Sequence, residues 1–215
     1  MLTALILASK LVTVTLEPTD DIWVYPHASE QVEDTFLRVW GSDGQAVQEP
    51  DPGMSASWSL VKFDLGEVKQ DGKLTKAVLV LTHAPKVGVT VKESADAPIE
   101  ARAVEAGFTE RLWDFREAEK FSPEGKANEI LGTGAIQAVV EGKPTLIEVD
   151  LMKGPAPFAT LLKSKLGSTD KKLAMALTSK IDPEGSNNAR IYKFYSRAAE
   201  KVELRPKLML TFSPE

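Results

Sequence analysis

At 215 residues and 43% hydrophobic, the chain can bury a full core, and its 27% charged residues exclude both a disordered and a membrane-embedded composition. A net charge of −5 and a pI near 5.3 argue against a nucleic-acid partner, because phosphate recognition selects a basic footprint. The absence of cysteine excludes a disulfide framework, a thiolate metal site and a thiol nucleophile.

The chain begins MLTALILASK. Residues 2–9 resemble a short signal-peptide core, with Ala8 and Ser9 as small residues near a cleavage point, although no Lys or Arg precedes them. Residues 1–10 are read as a signal-peptide remnant or as the start of a first strand. They are too short to span a bilayer, and no membrane insertion is expected. Strand composition then recurs at 11–16, 21–25, 35–40, 57–65, 74–83, 88–91 and 99–106. A helix is predicted over 109–121, with Thr109 as N-cap and Glu110 in the first turn. Runs at 136–140 and 145–151 flank Glu141-Gly142-Lys143 and predict a hairpin. A second helix is predicted over 156–166, where Phe158, Leu161, Leu162 and Lys165 fall at helical spacing before Gly167. Strands at 172–179, 190–196 and 207–212 close the chain, and Lys163, Lys165, Lys171 and Lys172 make this part locally basic, a solvated face or a surface for an acidic polymer. Many short strands separated by turn residues, with no long alternating helices, predict an all-β fold: a jelly-roll β-sandwich with one or two short helices, one domain over 11–215.

Several stretches, read in order, carry a resemblance. TLEPTDDIWVY, FLRVW followed by a Gly-rich loop, SLVKFDLGEV, KLTKAVLVLTH, TERLWDF and YSRAAEKVELRPKLMLTF resemble segments of the DNRLRE family of bacterial and archaeal sandwich domains. That family is related to carbohydrate-binding modules and disaggregatase-associated domains. GTGAIQAVVEGKPTLIEV looks like an added hairpin. The resemblance implies a secreted, extracellular or cell-surface sandwich that binds a polysaccharide.

Residues that carry catalysis are sparse. His27 and His83 are the two histidines, and neither stands near a nucleophile or ligand pattern; no G-x-S-x-G, H-E-x-x-H or phosphate loop occurs. Glu110 and Asp114 are four apart, but glycoside hydrolysis needs carboxyls across a cleft. No enzymatic activity and no catalytic residue is expected. Strand parity points to binding instead: Leu37 and Val39 share one face with Phe36, Arg38 and Trp40 opposite, while Val61, Phe63 and Leu65 share one face with Trp58, Leu60 and Lys62 opposite. If the aliphatic faces make the core, Trp40 and Trp58 offer flat indoles to sugar rings, and Arg38 and Lys62 pair with uronate carboxylates. The loop over residues 41–56 is long enough to cover that face instead. Trp23, Tyr25 and Trp113 are assigned to the core, and Arg197 and Glu200 to a structural turn. Asp20, Asp21, Asp43, Glu49 and Asp51 sit in or beside loops, where structural Ca²⁺ is a candidate ion without an EF-hand spacing. The leading expectation is a non-catalytic carbohydrate-binding module. The alternative is a structural subunit of a surface or fibrous assembly, self-assembling through edge strands, with residues 2–16 as a donated strand.

Overall fold

A computed structural model describes residues 11–28, 31–69, 72–86, 88–183 and 190–214. Their alternating apolar runs form two antiparallel sheets. The front sheet contains β1 (Val12–Leu16), β3 (Phe36–Val39), β5 (Lys73–His83), β8 (Thr145–Asp150), β10 (Tyr192–Tyr195) and β11 (Lys207–Ser213). Its order is β1-β11-β5-β10-β3, with β8 also pairing β5. The back sheet contains β2 (Pro18–Val24), β4 (Trp58–Asp64), β6 (Ile99–Val104), β7 (Ile130–Gly134) and β9 (Lys172–Thr178), in the order β2-β4-β9-β6-β7. Most consecutive strands switch sheets, the connectivity of a jelly roll, so the all-β sandwich is observed. Two α-helices are described, α1 (Val91–Asp96) and α2 (Phe158–Leu166), and none of the described helices is long and apolar enough to cross a membrane.

The main core lies between the sheets. In β11, Leu208, Leu210 and Phe212 point inward while Met209 and Thr211 face out, the period-2 pattern of a half-buried strand. On the back sheet, β4 and β9 are buried on both faces, because a second apolar layer covers the outside. That layer takes Trp58 and Leu60 from β4, Ala174 and Ala176 from β9, Val47 from the 41–56 loop, and Phe108 and Phe121 from the segment after β6.

Three expected elements differ. Residues 88–91 are not a strand: Thr90 starts α1, its Oγ1 accepting the Glu93 N–H at 3.1 Å while the Glu93 carboxylate accepts the Thr90 N–H at 2.9 Å. That capping box outweighs the β-propensity of Val89 and Val91. Residues 109–121 form two 3₁₀ turns, Glu110–Leu112 and Phe115–Phe121, in place of one helix. The chain there must set Phe108 and Phe121 into the outer layer and point Glu110 inward, which no single helical stripe accomplishes. The predicted hairpin is also absent: residues 136–140 are irregular, and β8 pairs with β5. The strand lies earlier, at β7, which pairs β6.

β7 and β8 come from different sheets yet meet at one edge of the sandwich, and glycine makes this possible. A Cβ on Gly132 would lie 2.2 Å from the Asp150 carbonyl oxygen, and one on Gly154 would lie 2.2 Å from the Ile130 carbonyl oxygen. The Gly154 and Ala156 N–H groups donate to Leu131 and Ile130 carbonyls, each at 3.0 Å, closing the seam. Gly132→Ala and Gly154→Ala are each expected to lower stability by about 2 kcal/mol or more, since backbone must move to admit the methyl. Urea unfolding midpoints measure this; an unchanged midpoint for both would show that the seam is loosely packed.

Candidate binding surface

The four residues expected to form a ligand platform do not converge. Trp58 lies on the outer face of the back sheet and is fully buried, in one cluster with Val47 and Phe108. Lys62, on the same face, is buried too: its ammonium donates to the Phe108 carbonyl and lies 2.9 Å from Asp20. Neither is offered to a ligand. Arg38 and Trp40 instead sit at the β3 edge of the front sheet, both half-buried, with Trp40 packed against the main core. The Trp40 Nε1–H donates to the Ser55 carbonyl at 2.6 Å, and its ring packs edge-on against Tyr25 at 5.2 Å. Arg38 is 2.5 Å from the Asp34 carboxylate, with its guanidinium 4.5 Å from the centre of the Trp23 ring. Parity within each strand holds, because Val61, Phe63, Leu37 and Val39 all enter the main core. β3 and β4 belong to different sheets, however, so their outer faces point away from each other.

The register of β3 with β10 brings other side chains to Arg38. Phe36 pairs with Tyr195 and Arg38 with Lys193, so two rings and two cations form one cross-strand block. The Phe36 and Tyr195 rings are 5.1 Å apart, and the Lys193 ammonium stands 4.1 Å from the Phe36 ring centre. Partial burial, with Arg38 beside it, holds the Lys193 pKa below the usual lysine range. All four are half-buried, so each keeps a solvent-facing surface. Tyr195 also lines a groove of about 590 Å³ walled by Thr35, Pro144, Glu200, Lys201 and Glu203. Phe36, Lys193 and Tyr195 were not singled out from the sequence. The alternation in IYKFYS carried the signal, with Tyr192 and Phe194 on the core parity and Lys193 and Tyr195 on the other.

The Ser196-Arg197 turn beside this groove is clamped from below. The Arg197 N–H donates to Asp21 at 2.7 Å, its guanidinium reaches Glu110 at 2.8 Å, and the Ser196 hydroxyl donates to the Asp34 carbonyl. Glu110 is therefore an inward structural acid. Asp114 pairs with Arg116, whose hydrogen bonds hold its carboxyl down at about 2. Four of the five acids considered for calcium, all but Glu49, are spent separately. Asp20 pairs with Lys62, Asp21 accepts from Arg197, Asp43 caps Gln45 and Ala46, and Asp51 caps Gly53. Among the described residues no group of three such side chains is placed to share an ion. His83 is fully buried, and desolvation lowers its pKa; its Nε2 accepts the Lys193 N–H at 3.1 Å, a role that positions β10.

No family model and no curated protein matches this chain. The chemistry of this surface must therefore speak for it. Adjacent rings offer apolar area, two cations offer charge, and the groove offers an edge along which an extended ligand can lie.

Proposed function

We propose that this protein is a non-catalytic binding module for a polysaccharide, held on the outer face of β3 and β10. The observation that carries this reading is the Phe36–Tyr195 pair, partly exposed and flanked by Arg38 and Lys193, with Tyr195 also lining the groove. Two adjacent rings, inclined at 42°, give sugar faces an apolar platform, and the two cations favour uronate or sulfate groups over neutral units. From Phe36 to Arg38 the strand rises about 7 Å, so the platform suits one or two sugar units. Affinity per site is expected to be weak, because so few sugar rings bury little area. The resemblance to DNRLRE domains supports the same function and an extracellular or cell-surface setting.

On a glycan array, the wild-type protein is expected to retain a polysaccharide, and the Phe36→Ala/Tyr195→Ala double variant to lose at least tenfold in affinity with unchanged circular dichroism. Full binding by that folded variant would remove the site. The alternative, a structural subunit, is supported by β1, which pairs with β11 and with no other described strand. Its Val12–Leu16 segment is already paired with β11 at the edge of the front sheet, so an added chain would extend the sheet rather than receive that segment. Residues 2–10 of the expected donated strand, and the expected signal remnant at 1–10, lie outside the described residues. An array with no bound glycan would favour assembly through β1.

A further inference from the structure

β5 ends at His83 beside the proposed glycan surface and begins at Lys73, at the far end of the sandwich, where a different cavity opens. There α2 turns Ala159, Leu162, Lys163 and Leu166 toward a space of about 480 Å³. These four are spaced i, i+3, i+4 and i+7, one face of a helix. Leu74 and Phe212, Cα partners across β5 and β11, close the opposite wall. Leu162, Leu166 and Phe212 are buried, so the inner walls are apolar. The rim is different in kind. Lys73 and Lys163 stand there exposed, and among the described residues no carboxylate lines the cavity. The space falls within the range of small-ligand sites, and an apolar interior beneath a cationic mouth is complementary to a molecule with one apolar tail and one negative head.

We infer that this cavity binds a single-chain anionic amphiphile, a fatty-acid carboxylate, with its alkyl chain between α2 and the Leu74–Phe212 rung and its head group between Lys73 and Lys163. This site is independent of the glycan surface, and either one stands without the other. Burial of the tail supplies affinity at about fourfold per methylene, while the lysines select the sign of the head group.

Calorimetric titration of the full chain with sodium dodecanoate, below its micelle concentration, tests this. Saturable binding is expected, at least tenfold weaker for decanoate and at least tenfold weaker for dodecyltrimethylammonium. The Ala159→Trp variant, which places a ring in the cavity from an exposed helix position, should abolish binding. The Lys73→Glu/Lys163→Glu variant should weaken dodecanoate about tenfold and strengthen the cationic amphiphile. No saturable binding, equal affinity for both head groups, or undiminished binding in a folded Ala159→Trp variant would overturn the inference. Should Ala159→Trp not fold, the two rim lysines, both exposed, decide it alone.

Discussion

Replacing Arg102 with alanine is expected to cost about 3–5 kcal/mol of folding stability. Arg102 projects from β6 onto the outer face of the back sheet, with its side chain 3% exposed. Its guanidinium donates to Glu100 at 2.7 Å, Glu129 at 3.3 Å, the Thr178 hydroxyl at 3.3 Å, and the Lys126 and Asp43 carbonyls at 2.7 and 3.0 Å. A planar fork with five N–H groups is needed to meet so many acceptors at once, and lysine cannot do so. The Asp43 and Lys126 contacts bind two separate loops to the sheet, one of them the 41–56 loop that seals Trp58. Gly44 permits this approach: it has φ +82°, and a Cβ there would lie 2.5 Å from the guanidinium carbon. Alanine at 102 would strand two acids and two carbonyls in a poorly hydrated site. Guanidinium-chloride unfolding measures the loss, and tryptophan emission should shift to the red before the main transition as Trp58 is uncovered. Arg102→Lys is expected to fall between alanine and wild type. A loss under about 1 kcal/mol for alanine would show that the loops are held by their apolar contacts instead.

Asp21 is expected to make stability fall as pH rises. Its side chain is on the inner face of β2, where burial, with Glu110 and Asp20 nearby, pushes its pKa up to about 8 against the Arg197 N–H that lowers it. The folded protein thus keeps a proton that the unfolded chain releases near the ordinary aspartate value of 3.8. This contribution is complete below pH 4 and is lost as pH rises toward 8. Its neighbour acts in the opposite sense. Burial raises the Asp20 pKa, but hydrogen bonds from Lys62 and the Glu110 N–H bring it below the usual range, so its contribution is lost as pH falls. The unfolding midpoint should therefore peak in mildly acid solution and decline by pH 9, by an amount on the order of a few kcal/mol. Asp21→Asn preserves an acceptor for Arg197 and cannot ionise, so its profile should stay flat from about pH 7 to 9, while below about pH 6.5 buried His83, whose pKa desolvation lowers, still costs stability as pH falls. A wild-type profile equally flat from about pH 7 to 9 would show that Asp21 is ionised in the folded protein.

The same clamp accounts for the closing Ser-Arg turn. Glu110, which sequence spacing pairs with Asp114 as a possible acid couple, turns inward to Arg197, because the 3₁₀ turns at 110–121 replace the expected helix. Glu110 and Asp114 therefore never share a face.

The alternation of apolar residues, read alone, determined that this chain is an all-β sandwich and which parity of β3 and β4 enters the core between the sheets, because a strand's side chains must alternate whatever it pairs with. It also located α2, whose apolar stripe and terminal Gly167 are local signals. Pairing between distant strands was decided only in three dimensions. β7 rather than the 136–140 run joins the back sheet because Gly132 and Gly134 let β8 approach, a demand that comes from another strand. Trp58 and Lys62 have the outward parity of Trp40 and Arg38, yet their sheets face opposite ways, and the 41–56 loop seals only one of them. Lys193 and Tyr195 reach Arg38 and Phe36 across more than 150 residues of chain, through a register set by backbone hydrogen bonds that residue type does not encode. Local periodicity reports which way a side chain points from its own strand; only the packed sheets determine what lies in that direction.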